Sequence, residues 1–201
     1  GFRGSCILER RSLPMTVKKA WTDKNCCYAA VYGEWNSEEV ANMSAYLPSA
    51  LQTKGLDWVG QWLAEVPDAL MIIGDLNLIH QADLDRSTST GAPSREDRQL
   101  RDFLQAMGLL DLWRDTHPLF KQYCHVSGGL RGQSRLYYIL VPSCQRRRFG
   151  DTEFLPWGIT DHFPLFMTVR AGATIGSPRW WLDPWILRNG EIRKLIAAST
   201  D

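Results

Sequence analysis

Ala69 to Ile73 (ALMII) is a continuous apolar run, too short for a helix and closed by Gly74, and it reads as a β-strand buried on both faces. Its end, Gly74-Asp75-Leu76-Asn77, is the first place to look for chemistry. Side chains at the carboxyl end of such a strand are rigidly held and point into a crevice. Asp75 and Asn77 present hard oxygens there, suited to Mg²⁺ or to a phosphate-bound water, and Gly74 allows close backbone approach. The same tetrapeptide also reads as a plain Asp-Leu-Asn turn.

The flanking patterns set this strand in a layered α/β protein with mixed sheets. Three β-type runs open the chain, Ser5 to Leu8, Met15 to Ala20 and Cys26 to Tyr32, with a polar turn between the last two. After Asn36 and Ser37, the acidic pair Glu38 and Glu39 with Val40, Met43 and Leu47 predicts a helix broken at Pro48. Residues 78–93 form a long polar loop. Ser94 and Asp97 then resemble a capping box, Leu100, Phe103, Leu104 and Met107 mark one helical face, and Gly108 supplies the stop. Further strands are expected at Arg135 to Val141 and Pro164 to Arg170. A domain over 1–171 is expected to be followed by a small-residue linker and a Trp-rich tail over 172–201.

Composition narrows the class. The 201 residues suit one domain, and a net charge of +1 means that any nucleic-acid contact comes from a local patch. No run approaches the roughly 18 apolar residues of a membrane span. Five cysteines at irregular positions fit neither a disulfide framework nor paired zinc knuckles, which points to reduced, intracellular thiols. No Gly-x-Ser-x-Gly elbow occurs.

A second candidate site is Thr160-Asp161-His162, a carboxylate beside an imidazole just before a strand. In a metal-dependent phosphodiesterase such an Asp can hold the cation while the His bonds a phosphoryl oxygen or the attacking water. Taken in order, GDLN (74–77), RLYYIL (135–140) and TDH (160–162) resemble the Gly-Asp-Phe-Asn, Arg-Ile-Asp-Tyr-Ile and Ser-Asp-His blocks of the endonuclease/exonuclease/phosphatase superfamily. LRDFLQAMGLLDLWRDTHP (100–118), YCHVSGGLRGQSR (123–135) and WLDPWIL (181–187) look most like the apurinic-endonuclease-like endonuclease domain of LINE-type (non-LTR) retrotransposons.

The resemblance implies a four-layered α/β sandwich, two mixed β-sheets flanked by helices, here expected to lack its first strands. It implies hydrolysis of a DNA phosphodiester with Mg²⁺, Mn²⁺ being the alternative ion. Carried over by motif, Asp75 would orient or deprotonate water, Asn77 would bond the phosphate, Asp161 would assist the metal, and His162 would bond the scissile phosphate. Tyr32 would match the Tyr of the family's Tyr-Ala-Pro-Asn block, while Cys124 stands where retrotransposon endonucleases usually carry Thr in the substrate-binding region. Implied partners are DNA and a reverse transcriptase domain in cis, and the nucleus is the implied compartment.

Two departures bear on activity. The family's opening Asn and metal-binding Glu have no counterpart, and the Asp that pairs with the catalytic His is Tyr137. A phenol stays neutral near pH 7 and cannot stabilise an imidazolium as a carboxylate does. Loss of a His-orienting carboxylate costs about 10⁴ in rate in a comparable triad. An impaired nuclease is therefore expected, with a non-catalytic DNA-binding or vestigial remnant as one alternative and a phosphatase-type member of the superfamily as another. Between Gly128 and Gly150 no acidic residue occurs, and Arg131 and Arg135 with Arg146, Arg147 and Arg148 form a candidate phosphate-binding face or a plain solvated loop. His80, His117 and His125 show no metal-ligand spacing and read as ordinary polar residues.

Overall fold

A computed structural model describes residues 4–10, 15–24, 27–66, 70–88, 92–126, 132–155 and 162–170. Its organising element is a six-stranded sheet built from β1 (Met15–Thr22), β2 (Tyr28–Trp35), β3 (Glu38–Tyr46), β4 (Leu70–Asp75), β5 (Leu109–Asp111) and β8 (Tyr137–Pro142). The spatial order is β1-β2-β3-β4-β8-β5. β3 and β4 pair in parallel and the other neighbours are antiparallel. A parallel pair needs a crossover, supplied here by α1 (Gln52–Glu65).

The helix expected after Asn36 is instead β3. Asn36 and Ser37 both take positive φ (53° and 64°), the geometry of a two-residue hairpin turn, and Trp35 pairs with Glu38 across it. Ala41, Met43 and Ala45 are buried in strict alternation, so the period is two. The helical residues lie beyond Pro48, where Leu56, Val59 and Trp62 of α1 turn inward. Ser5 to Leu8, read as a strand, is irregular.

One face of the sheet is covered by α1 and α3 (Arg95–Ala106) over a core of Met43, Leu56, Val59, Ile72, Leu100 and Leu104. The capping box at Ser94 is present: its hydroxyl accepts from Asp97 N–H at 3.0 Å, and Asp97 Oδ2 accepts from Ser94 N–H at 3.1 Å. Gly108 stops the helix at φ 62°. The other face carries Met71 and Ile73 of β4 and Ile139 and Val141 of β8 against a second sheet of β9 (Phe149–Phe154) and β10 (Leu165–Val169). The layered α/β sandwich expected from the sequence is thus observed, its six-stranded sheet mixed and its β9-β10 sheet antiparallel. Shorter elements are α2 (Ala82–Asp85), α4 (Leu112–Thr116), β6 (His125–Val126) and β7 (Gln133–Ser134). Among the described residues no helix is long and apolar enough to cross a membrane. The tail at 172–201 lies outside the described residues.

Candidate active site at the end of strand β4

Alternation along β4 sends Ile72 to the helix side, and Met71, Ile73 and Asp75 to the second-sheet side. Asp75 pairs in register with Tyr46 on β3 and Tyr137 on β8, so these three side chains share one face. Gly74 is required for close strand approach: a Cβ there would lie 1.8 Å from the Ala45 carbonyl oxygen. Beyond the strand Asn77 adopts φ 50°, a left-handed conformation that Asn tolerates well. Its N–H donates to Asp75 Oδ1 at 2.9 Å and its side-chain Nδ2 donates to the Leu47 carbonyl at 2.9 Å. Gln52 Nε2 donates to the Asn77 carbonyl, tying the turn to α1.

His162 reaches this cluster from the loop before β10. Its Nδ1 lies 2.5 Å from the Tyr137 hydroxyl, and the two rings stack at 5.5 Å with 12° between planes. Its backbone bridges to His125, whose ring centroid is 5.0 Å from that of His162. Burial holds the Asp75 carboxyl above the usual carboxylate range, although the Asn77 N–H and the His162 and His125 imidazoles pull the other way. A partly buried carboxylate with raised proton affinity is suited to accept a proton.

His125, which the sequence left as ordinary, thus belongs to the cluster. Tyr46 belongs too, and the sequence carried a signal for it. Tyr46-Leu47-Pro48-Ser49 keeps the Tyr and Pro of a Tyr-Ala-Pro-Asn block, which Tyr32 does not. Tyr32 pairs with Ala41, itself paired with Leu70, five positions along β4 from Asp75 and so roughly 17 Å away at about 3.4 Å per residue. It also packs on the helix-side core, across the sheet from Asp75.

Two expected substrate contacts are buried instead. Arg135 is fully enclosed, its guanidinium forked onto Asp85 (2.8 and 3.0 Å) and Asp111 (2.6 and 3.3 Å) and lying between the Trp113 and Tyr138 rings. Arg114 pairs with Asp85, and His80 Nδ1 lies 3.3 Å from Asp111 Oδ2. Tyr138 completes the clamp on the loop after Asp75: its hydroxyl donates to the Leu78 carbonyl at 2.8 Å and accepts the His80 N–H at 3.0 Å. Cys124 is fully buried, with Sγ accepting the Leu136 N–H at 3.1 Å. Burial pushes its thiol up to about 11, so it stays neutral and inert.

The basic stretch is at the other end of β8 from Tyr137. There Arg148 pairs with Glu38 at 2.5 Å and Arg146 with Asp115. Arg131 and Asp161 lie outside the described residues. Mg²⁺ takes octahedral oxygen donors. Among the described residues no group of three His, Cys, Asp or Glu could hold a metal, and this described donor set alone does not fit the ion.

No family model matches the chain. Solved structures do. An AP endonuclease from Leishmania major superposes with a TM-score of 0.60 at 18% identity, over 74% of this chain and 56% of that one. The 3′ phosphatase NExo from Neisseria, bound to a product DNA hairpin, gives 0.55 at 17% identity over 83% and 72%. The endonuclease domain of TRAS1, a telomere-specific non-LTR retrotransposon, gives 0.54 at 15% identity over 72% and 64%. The fold is the one that these solved structures share, in line with the fold that the sequence resemblance implies. This chain spans little more than half the length of the Leishmania enzyme.

Proposed function

We propose that the chain is a DNA-directed phosphodiesterase of the endonuclease type, with a chemical step slowed by Tyr137. The observation that supports this most is the convergence of Asp75, Asn77, Tyr137 and His162 at the carboxyl end of β4, in a fold shared with an AP endonuclease and a retrotransposon endonuclease domain. Asp75, with its raised proton affinity, takes the proton of the attacking water. The second N–H of the Asn77 amide donates to a phosphate oxygen. His162, its Nδ1 engaged by the Tyr137 hydroxyl, meets the phosphoryl group through Nε2. Asp161 lies outside the described residues, and the Mg²⁺ implied by the sequence resemblance is tested by the metal dependence of nicking. In the parent polyprotein the nick would provide a primer for a reverse transcriptase in cis.

Tyr137 favours a second reading, a DNA-binding remnant without turnover, because a neutral phenol occupies the place of the His-orienting carboxylate. Nicking of supercoiled plasmid by the full chain in Mg²⁺ and in EDTA separates the two, alongside Asp75→Ala and His162→Ala. Slow Mg²⁺-dependent nicking, lost in both variants, is expected. Binding at low salt without any nicking would establish the remnant, and phosphate release from a 3′-phosphorylated oligonucleotide without nicking would favour the phosphatase class.

A further inference from the structure

On the helix side of the sheet, across from Asp75, β1, β2 and α1 border an open cavity of about 350 Å³ that the nuclease reading does not use. We propose that this cavity is a cage for an alkylated ammonium group, of the kind carried by a methylated lysine side chain or by choline.

Its walls are aromatic. Trp21 comes from β1, Tyr28 from β2, and Trp58 and Trp62 from consecutive turns of α1. Trp21 and Trp62 stand 6.1 Å apart at 89°, so one presents its face where the other presents its edge. Aromatic faces attract cations through the ring quadrupole, and several faces set around one space are the geometry that recognises quaternary ammonium. Trp21 already shows this attraction: Lys19 Nζ sits 4.5 Å from its ring centroid.

Two carboxylates also line it. Asp23 lines the cavity and is fixed there by accepting the Tyr28 N–H at 2.9 Å. Glu65 is the last residue of α1, where carbonyl ends already carry partial negative charge and a carboxylate is unfavourably placed. No basic residue in the last turn of that helix offsets it. Burial, followed by the charges of Asp23 and Glu65, pushes the Tyr28 phenol up, so both carboxylates act on the same space. Lys24 is the one cation among the described lining residues, and Lys19 lies at the Trp21 ring beside it, so Asp23 and Glu65 balance these two charges and the aromatic walls carry the selectivity.

The proposal is tested by following the indole N–H signals of the full-length chain in NMR titrations. The probes are a short peptide bearing trimethyl-lysine, the same peptide with unmodified lysine, its neutral tert-butyl isostere, and choline. Saturable shifts of tryptophan indoles are expected with the trimethyl peptide, with affinity about ten-fold above that of the neutral isostere. Trp58→Ala should abolish the shifts. Glu65→Gln, an exposed change that leaves packing intact, should weaken binding severalfold. Plasmid nicking should be unchanged in both variants, so this test fails or succeeds independently of the nuclease reading. Tighter binding of the peptide than of choline would identify a protein-borne cation, and equal binding a free one. Equal affinity for the neutral isostere, no saturable shift with any cation, or binding untouched by both substitutions would overturn the cage.

Discussion

The Asp85, Arg135, Asp111 and Arg114 cluster and the Asp75, Tyr137 and His162 cluster flank the start of the same strand, β8, yet they handle buried charge in opposite ways. In the first, two carboxylates face two guanidiniums, so the charges balance. Burial alone would raise the Asp111 carboxyl, but the neighbouring Arg135 charge overrides it and holds that carboxyl below its usual range. In the second, burial wins, and Asp75 stays above the usual range despite the Asn77 N–H and the His162 and His125 imidazoles beside it. A closed charge network of this kind positions a loop. A carboxylate whose burial outweighs its neighbours can exchange a proton, which is why chemistry is assigned to the second cluster and support to the first.

The sharpest way to break that division is to give the second cluster the carboxylate it lacks. Tyr137→Asp places an acid against His162 Nδ1, where the phenol now sits 2.5 Å away. If orientation of this imidazole limits turnover, plasmid nicking should rise by about 10²–10⁴, the scale set by losing such a carboxylate elsewhere. Tyr137→Phe should leave the slow rate within about ten-fold, since a neutral phenol contributes a single hydrogen bond. An unchanged rate in Tyr137→Asp would mean that Tyr137 is not what limits the site.

The support role is tested through stability. Arg135→Leu leaves buried Asp85 with Arg114 alone and buried Asp111 with His80 alone, and removing one partner of a buried pair costs about 3–5 kcal/mol. Urea unfolding should show a loss of that size. The pH dependence follows from the same cluster: Asp111 has a folded pKa below its unfolded one, so its contribution is present at neutral pH. It is lost as pH falls through the carboxylate range toward the folded value. Arg135→Leu should flatten that acid limb, and a wild-type loss of under about 1 kcal/mol on the same substitution would remove the clamp from the account.

What the sequence made legible was local. The strand β4 and the capping box of α3 are contained within short windows, and the structure reproduces both. β3 was misread because Val40, Met43 and Leu47 also fit a helical period, while the small Ala41 and Ala45 gave little weight to the period of two. α1 was obscured by Gly55 and Gly60, poor helix formers; Gly55 packs so closely that an added Cβ would lie 2.4 Å from Leu47. The burial of Arg135 depends on Asp85, 50 residues away in sequence, and the place of His125 depends on a backbone bridge to His162. Neither partnership leaves a short-range signature, so both residues were assigned from motif position or set aside.

The smallest effect carries the comparison furthest, because the same Asp→Asn change should have opposite signs in the two clusters. Asp111→Asn weakens the pair with Arg135 and should destabilise the protein at neutral pH. Asp75 has a folded pKa above its unfolded one, so its contribution is fully present below the unfolded value and lost as pH rises through the folded value. At pH 7 the ionised Asp75 is therefore a cost to folding. Asp75→Asn keeps an oxygen that can accept the Asn77 N–H while removing the charge, and should stabilise by roughly 0.5–1 kcal/mol while abolishing nicking. Thermal melts of the two variants at pH 7 and near pH 4 check this directly. The gain from Asp75→Asn should shrink in acid as wild-type Asp75 takes up its proton, and a loss of stability at pH 7 would show that Asp75, like Asp111, is a structural carboxylate.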